Sequence, residues 1–273
     1  RIAEGNYNER VSLKSSDELG SLANNFNTMA QAIQERTESL VRAAEEKQRF
    51  VDNLAHELRT PLTSIRGYAE YLQNAHCSEE DRIKAAGYLA QSAERLQDLS
   101  TKLLNIAYLR SHSLKAECIR ISNLFADLED TMKKLLSEKN ISLCFEDKLG
   151  KLWGDKVLLL SLLTNLVDNA VKASDPGSSV TIKAYMKEFP VLEVTDQGKG
   201  MDPNEIDKVF EPFYRVDKSR SRKDGGVGLG LALCRQIAEL HLAKLSISSE
   251  LGKGTTVTLS FTTSLQTLNN SIK

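Results

Sequence analysis

The sequence predicts two parts of different fold class: an all-α helical hairpin, followed by a layered domain of helices and strands. Three observations predict this. No glycine or proline interrupts residues 21–60, where apolar residues recur at three- and four-residue steps. A second apolar seam, with near-heptad spacing, follows a short polar turn. After residue 110 short alternating runs and amphipathic segments replace the long seams, which is typical of an α+β or α/β domain of about 150 residues.

The two long helices are expected to form an antiparallel hairpin. Asp17 can cap the first helix, and a periodic pattern that long without internal caps predicts a coiled coil. The turn lies at residues 74–80, where Ser78 and Asp81 resemble a capping box for the second helix. Because a second copy would bury the apolar stripe best, we expect a homodimer through residues 41–110, forming a four-helix bundle. The seam residues are Leu19, Leu22, Phe26, Met29, Ala30, Ile33, Phe50, Leu54, Leu58, Leu62 and Ile65, then Leu89, Leu96, Leu99, Leu103 and Ile106.

The layered domain is expected to follow a linker at residues 111–117 and to end before a frayed tail at residues 265–273. Amphipathic patterns predict its helices, and alternation of apolar with polar residues predicts most of its strands. The expected helices are 122–138, 155–173 and 228–241, and the expected strands are 141–145, 180–185, 191–194, 245–249 and 256–261.

The composition fits a folded protein in water. Of 273 residues, 41% are hydrophobic and 27% are charged, which supports a core and argues against disorder throughout. The 36 basic and 37 acidic residues nearly cancel, so we expect no nucleic-acid partner, although a local basic patch stays possible. The four cysteines form no CxxC pair, which argues against a zinc site and favours a reduced, cytosolic setting. No apolar run approaches the roughly 18 residues of a membrane span.

One histidine is predicted to point away from the apolar seam. His56 lies two residues from both Leu54 and Leu58, so at about 100° per residue it projects about 200° from each. Pro61, further along, is expected to bend or loosen the helix. An isolated histidine of this kind is most simply a solvated residue on a charged helix face.

The run from His56 to Leu62, HELRTPL, resembles the phosphoacceptor box of bacterial sensor histidine kinases. A neutral, exposed imidazole is a suitable nucleophile toward phosphorus, and an adjacent carboxylate can fix its tautomer. The resemblance implies that His56 accepts the phosphoryl group, that Glu57 acts as its acid/base partner, and that Thr60 positions water for dephosphorylating the partner protein.

Four motifs in the second half point to a nucleotide. Asn165, Asn169 and Lys172 share one helix face, where amide oxygens could hold a hard cation and the lysine could meet phosphate. Asp196 follows an apolar strand and precedes Gly198 and Gly200, which suits close approach of a flat base whose amine the carboxylate could bind. Singly, a polar surface stripe and an ordinary glycine turn explain these two motifs as well.

The third motif, Phe210 to Arg215, is aromatic, and core packing is the main role we expect for its rings. The segment from Arg215 to Asp224 holds five basic and two acidic residues, so we interpret it as a mobile, basic lid for phosphates, or else a solvated loop. The fourth, GGVGLGL at residues 225–231, enters an amphipathic helix, where loop amides favour phosphate. It matches neither a P-loop nor the Rossmann fingerprint.

In this order the four motifs resemble the GHKL ATP-binding fold of histidine kinases, type II topoisomerase ATPase subunits, heat-shock chaperones and mismatch-repair proteins. The resemblance implies a sandwich of a mixed sheet against helices, with ATP beneath a flexible lid. It implies that Asp196 contacts adenine and that Asn169, together with Asn165, holds Mg²⁺. Gln197 departs from the frequent asparagine after that aspartate. The remaining residues implied to bind ATP are Lys172, Gly198, Gly200, Arg215, Lys218, Gly226, Gly228, Leu229 and Gly230.

The N-terminal run DELG, from Asp17, resembles the start of the second helix of a HAMP domain, although a plain coiled coil would also account for it. HAMP domains usually follow a membrane span. Since the chain begins at Arg1, we expect a fragment: the cytoplasmic portion of a bacterial plasma-membrane protein whose transmembrane segment is missing. The expected parts are a partial HAMP and coiled coil (1–40), a phosphotransfer hairpin (41–110), a linker (111–117), an ATP-binding domain (118–264) and a tail (265–273).

These motifs together predict a sensor histidine kinase that phosphorylates His56 from ATP–Mg²⁺, then transfers the phosphoryl group to an aspartate of a response regulator and also acts as a phosphatase on it. Two alternatives differ in class. One is a GHKL ATPase of another kind, against which the boxed His56 speaks. The other is a coiled-coil scaffold that binds ATP only as a ligand, against which the intact Asn169 and Asp196 speak.

Overall fold

The computed structural model describes residues 9–12, 17–74, 78–111, 114–216 and 227–262. Within the described residues the chain divides into two compact units, residues 1–59 and residues 60–273. The linker residues 112–113, most of the expected lid and the expected tail lie outside the described residues.

The first unit is formed by most of helix α1, whose full extent is Glu18–Asn74, and by the short segment 9–12. Asp17 caps the helix, because its Oδ1 accepts hydrogen bonds from the amides of Leu19 (3.0 Å) and Gly20 (3.2 Å). The segment 9–12 is held by the Asn27 side chain, whose amide exchanges two hydrogen bonds with the backbone of Val11 (2.8 and 2.9 Å). The predicted cap and long helix are thus confirmed.

The second unit begins inside α1, which stays helical through Pro61. Helix α2 spans Glu79–Ser111, and Ser78 caps it through a hydrogen bond from the Asp81 amide (3.1 Å), with the Asp81 carboxylate returning to Ser78 Oγ (2.7 Å). The rings of Tyr68 in α1 and Tyr88 in α2 stack with centroids 4.9 Å apart, which closes the predicted hairpin.

Two sheets follow. Strands β1 (Glu117–Arg120) and β3 (Lys151–Gly154) pair antiparallel in a two-stranded ribbon. The main sheet has the order β2-β4-β5-β7-β6, with β2 and β4 parallel and all other neighbours antiparallel. Its strands are β2 (Ser142–Asp147), β4 (Ser179–Met186), β5 (Pro190–Asp196), β6 (Ala243–Glu250) and β7 (Gly254–Phe261).

Three helices complete a sandwich with this sheet, and we call residues 114–262 the α/β domain. They are α3 (Ile121–Lys139), α4 (Lys156–Ala173) and α5 (Gly230–Leu240), and two single 3₁₀ turns lie at Pro203–Glu205 and Lys208–Phe210. The core lies between the helices and one sheet face. Its largest fully buried side chains are Ile121, Leu124, Leu128, Leu159, Leu162, Leu163, Ile182, Leu192, Leu229, Leu233 and Ile237.

The predicted helices and the five main-sheet strands are confirmed, with ends shifted by a few residues at most. The ribbon strands β1 and β3 were not predicted, because four residues are too few to show a period. Strand β1 begins at Glu117, the last residue of the expected linker. Among the described helices, none combines the length and apolar character that crossing a bilayer requires.

Candidate functional site

The predicted phosphoacceptor lies on the exposed side of α1. His56 is exposed and the neighbouring Glu57 is half-buried. The helix continues through both residues, so the imidazole has the outward direction that the 100° periodicity predicts. A nucleotide brought to this face would meet the ring without displacing core side chains.

Thr60 and Lys172 line one groove of the second unit. Its volume is about 630 Å³, and side chains of α1, α2 and α3 complete it, among them Ser64, Arg95 and Lys139. Lys172 is held in the groove wall by an ion pair with Asp168, Nζ to Oδ2, of 2.6 Å. The structure thus places the predicted dephosphorylation residue and a predicted phosphate-binding lysine at one cavity.

Helix α4 carries the predicted cation stripe. It begins at the N-cap Asp155, and its apolar face (Leu159, Leu162, Leu166) is buried against the sheet and α5. On the other side of the helix, Asn165 is half-buried and Asn169 is exposed at the domain surface. The Asn165 amide Nδ2 donates to the Ser161 carbonyl (2.8 Å), while Oδ1 lies toward Gly230 of the glycine loop.

The glycine loop is brought against this stripe. A Cβ built on Gly230, the first residue of α5, would lie 3.1 Å from Asn165 Oδ1 and 3.9 Å from Asn169 Nδ2. A side chain at 230 would therefore occupy the space between the loop and the two amides. The first amides of α5 have no earlier turn to pair with and favour an anion at this position.

Asp196 forms the floor of the site at the end of β5. Its side chain is 6% exposed, and Oδ1 accepts hydrogen bonds from the amides of Gly198 (2.8 Å) and Thr255 (3.2 Å). Burial raises the pKa of this carboxyl above its ordinary value, and the two amide bonds oppose this shift only in part. Both bonds that the described residues make to Asp196 end on Oδ1, so Oδ2 remains to accept a hydrogen bond from a ligand amine.

The glycines after Asp196 serve backbone packing. A Cβ on Gly198 would lie 2.3 Å from the Ala173 carbonyl oxygen at the end of α4, and one on Gly200 would lie 2.0 Å from that of Glu250. Gly200 also has φ of +62°. These glycines let the loop press between α4 and the β6–β7 turn, which fixes Asp196 beside the stripe.

Two residues of this floor were missed from the sequence. The Thr255 hydroxyl lies 2.8 Å from Ser249 Oγ, and Ser249 Oγ accepts from the Met201 amide (2.9 Å). Their place depends on the pairing of β7 with β5 and β6, which brings Thr255 opposite Asp196. A threonine at the start of a strand gives no local signal of that partner.

The aromatic motif supports the entry to the glycine loop. The Phe213 amide donates to the Gly228 carbonyl (2.8 Å), and both residues have positive φ, +67° and +75°. The Tyr214 hydroxyl donates to Glu205, and this bond, together with burial and the charges of Glu205 and Glu211, raises the Tyr214 pKa to about 12. Arg215 is half-buried at the end of this segment. The predicted site residues Lys218 and Gly226, and Gly225, lie outside the described residues.

The α/β domain can therefore offer a buried carboxylate, two amide side chains, a lysine and helix N-terminal amides around one surface of α4. This set suits a ligand with an amine-bearing base at one end and phosphates at the other. No cluster of three or more His, Cys, Asp or Glu side chains suited to a metal occurs in the described part of the chain.

Three family models match the chain in succession. HAMP matches residues 1–35, the His Kinase A (phospho-acceptor) domain matches residues 46–112, and the histidine kinase-, DNA gyrase B- and HSP90-like ATPase matches residues 154–265. The order and position of these matches follow the order of the motifs in the sequence.

Among curated proteins, the chain is 31% identical over 268 residues to the histidine protein kinase SaeS of Staphylococcus aureus, covering 95% of this chain and 76% of SaeS. Among solved structures it resembles full-length ShkA in complex with AMPPNP (TM-score 0.56, 26% identity, 78% of this chain and 45% of that one).

Two further structures share the fold. The histidine kinase ThkA, solved in complex with the response regulator protein TrrA, has a TM-score of 0.65 at 22% identity, with 84% of this chain and 64% of ThkA covered. Acinetobacter baumannii AdeS has a TM-score of 0.61 at 20% identity, with 76% of this chain and 98% of AdeS covered.

Proposed function

The chain belongs to the sensor histidine kinases of two-component systems, and on that premise we propose that it phosphorylates its own His56 from ATP–Mg²⁺ and passes the phosphoryl group to a response-regulator aspartate. Its ATPase domain implies ATP binding. The observation that carries the proposal is the convergence in the α/β domain: α4 brings Asn165 and Asn169 beside Gly230, and the end of α4 packs on the loop that holds Asp196.

Adenine recognition is assigned to Asp196. Its Oδ1 is held by two backbone amides, which fixes the carboxylate plane, so Oδ2 can accept a hydrogen bond from the exocyclic amine. Thr255 and Ser249 hold that geometry from behind. The ribose and phosphates would then extend along α4 toward Gly228, Leu229 and Gly230, with Lys172, Arg215 and Lys218 meeting phosphate charge.

The chemistry of Asn169 and Asn165 fits Mg²⁺, a hard cation that prefers oxygen ligands and keeps several waters. Asn165 Oδ1 faces Gly230 because its Nδ2 is engaged by Ser161. When bound, the ion would neutralise charge on the transferring phosphoryl group. The side chains of Asn165 and Asn169 would hold the ion, and the amides near Gly230 would stabilise negative charge on the phosphate oxygens.

The transfer step forms one bond and breaks one. A neutral imidazole nitrogen of His56 bonds to the γ-phosphorus while the bond from that phosphorus to the β–γ bridging oxygen breaks, leaving ADP. Glu57 accepts the ring proton and thereby keeps the reacting nitrogen unprotonated. The phosphoryl group then passes to a carboxylate oxygen of the regulator: a phosphorus–oxygen bond forms, the phosphorus–nitrogen bond to His56 breaks, and the imidazole takes back its ring proton. Thr60, exposed one turn further along, would position water for hydrolysis of the regulator's acyl phosphate.

We further propose a homodimer through residues 41–110 and attachment of the protein to the plasma membrane from the cytoplasmic side. The hairpin exposes apolar side chains such as Leu62 and Leu104, and this supports the proposal that the hairpin of a second copy covers them. The HAMP match supports a segment that relays a signal into α1.

The test is transfer of label from [γ-³²P]ATP. We expect acid-labile, alkali-stable label on the chain, lost in His56→Gln, while His76→Gln serves as a matched control at a histidine outside the HELRTPL run. Label that persists in His56→Gln would contradict the mechanism. ATP turnover without protein label would favour a GHKL ATPase of another kind, and tight ATP binding with neither label nor turnover would favour a scaffold.

A further inference from the structure

One hydrogen-bonded cluster, which the proposed mechanism does not use, joins the segment after α2 with α4 and α5. Asp155, between β3 and α4, caps α4 with Oδ1, which accepts from the amides of Val157 (3.1 Å) and Leu158 (3.2 Å). Its second oxygen, Oδ2, accepts from the Lys115 amide (3.2 Å), which belongs to the segment that leaves α2. Both oxygens of this carboxylate are therefore engaged, one by a helix and the other by the linker.

The backbone of Asp155 reaches the far end of α5. Its amide donates to His241 Nε2 (3.0 Å), and His241 Nδ1 lies 2.8 Å from the Ile237 carbonyl oxygen. Because Nε2 accepts, the ring is neutral and Nδ1 carries the proton that Ile237 receives. His241 is 0% exposed, so no water competes for either bond. The imidazole thus bridges the last turn of α5 and the start of α4.

The packing around the cluster is tight. Leu109 at the end of α2 and Leu114 in the linker line a cavity of only about 20 Å³, together with Leu158 of α4 and Leu240 of α5. A Cβ on Gly154 would lie 2.7 Å from a Leu159 methyl carbon and 3.2 Å from His241 Cδ2. Such a contact leaves little room for one helix to slide along the other without disturbing the imidazole.

This cluster lies at the opposite end of the α4–α5 pair from the glycine loop. Asn165 is ten residues beyond Asp155, or about 15 Å along α4 at 1.5 Å per residue. Gly230 is separated from His241 by a similar length of α5. A bond that fixes the two helices at one end therefore sets the axial register in which Gly230 meets Asn165 at the other.

Resting on the proposed function, we infer that Asp155 and His241 are positioning residues of the kinase reaction. The His241 bond sets the α4–α5 register and with it the affinity for ATP. The bond from Asp155 to the Lys115 amide holds the segment that follows α2 against the start of α4, and with it the rate of phosphoryl transfer. Neither residue touches the nucleotide in this assignment.

The two contacts can be separated with conservative variants of the whole chain. Glutamine at 241 can place an amide oxygen where Nε2 accepts, whereas asparagine reaches only the Nδ1 position, so His241→Gln keeps the bond to α4 and His241→Asn loses it. Serine at 155 keeps the cap, since serine and aspartate are similar caps, but offers no second oxygen to the linker. Asp155→Ala loses both.

We expect His241→Asn to raise KM for ATP about 10-fold with kcat little changed, and His241→Gln to stay within about 2-fold of the unaltered chain. We expect Asp155→Ser to lower kcat about 10-fold at unchanged KM and unchanged Tm, and Asp155→Ala to lower Tm as well. Equal KM for the two His241 variants, or unaltered kcat in Asp155→Ser, would overturn the corresponding role.

If His241→Asn does not fold, His241→Gln decides the first arm, because a KM raised well above 2-fold would contradict a role exerted through Nε2. Failure of the proposed function would look different. In that case the unaltered chain itself would show no label on His56, and none of these kinetic comparisons would arise.

Discussion

The hairpin helices and the α/β domain differ in how far their leucine side chains are buried. In α4, Leu159, Leu162 and Leu163 are 0% exposed, whereas Leu40 and Leu62 of α1 are 66% and 53% exposed. The α/β domain closes its own core between helices and sheet. The hairpin leaves several leucines of its helices exposed, so if these side chains form the dimer interface, its stability as a dimer would depend on concentration.

The largest expected effect on stability comes from replacing one glycine of the α/β domain with alanine, compared with the same substitution in the hairpin. Gly254 has φ of +104°, and a Cβ there would lie 2.1 Å from the Asp196 carbonyl oxygen, whereas a Cβ on Gly67 in α1 meets nothing within 4 Å. Gly254→Ala should destabilise the α/β domain by more than about 4 kcal/mol, because backbone must move. Gly67→Ala should stabilise α1 by up to about 1 kcal/mol.

Urea unfolding followed by fluorescence measures the first effect, because the single tryptophan, Trp153, lies in β3 and reports on the α/β domain. Circular dichroism at 222 nm follows the helices together, and α1 is the longest of those described, with 57 residues. A Gly254→Ala protein with an unchanged Trp153 transition would show that the loop can relax, and the contrast with Gly67 would fail.

The second prediction compares a leucine-to-alanine substitution in the α/β domain with one in the hairpin. Leu162→Ala leaves a cavity in a closed core and should cost the α/β domain about 2–5 kcal/mol. Leu62→Ala should leave the Trp153 transition unchanged and instead raise the dimer dissociation constant about 10-fold or more, as measured by analytical ultracentrifugation. A monomeric chain at all concentrations, or a Leu62→Ala dimer of unaltered affinity, would contradict the proposed use of the seam.

The same contrast explains which features the sequence could predict. Period and caps determine α1 and α2 locally, and Asp17 and Ser78 act where the pattern places them. Asp196 was recognisable because an acid followed by glycines ends an apolar strand. Thr255 and Ser249 were not, since strand pairing brings residue 255 to residue 196 across 59 positions.

Buried polar residues outside the motifs were equally hidden. His241 follows an amphipathic helix as any solvated histidine might, and only the packing of α4 against α5 gives its ring two partners. Gly198 and Gly200 were assigned to the ligand, and the structure shows in addition that backbone carbonyls lie where their side chains would be. Long-range contacts of this kind leave no period in the sequence.

The smallest expected effect is a dependence of α/β domain stability on pH that the exposed hairpin seam does not share. Burial lowers the pKa of His241 below its ordinary 6.5, against weaker opposing effects of the Ile237 carbonyl and Asp155. Since the unfolded chain takes up a proton first, the contribution of His241 to stability is complete above about pH 6.5 and is lost as pH falls toward the folded pKa. Asp196 acts with the opposite sign, because its pKa is raised on folding.

The measurement is therefore the difference between the unaltered chain and His241→Gln in Trp153-monitored urea unfolding at pH 7.5 and pH 5.5. We expect the difference to shrink or reverse at the lower pH, and a difference independent of pH would show that His241 is not buried as a neutral ring.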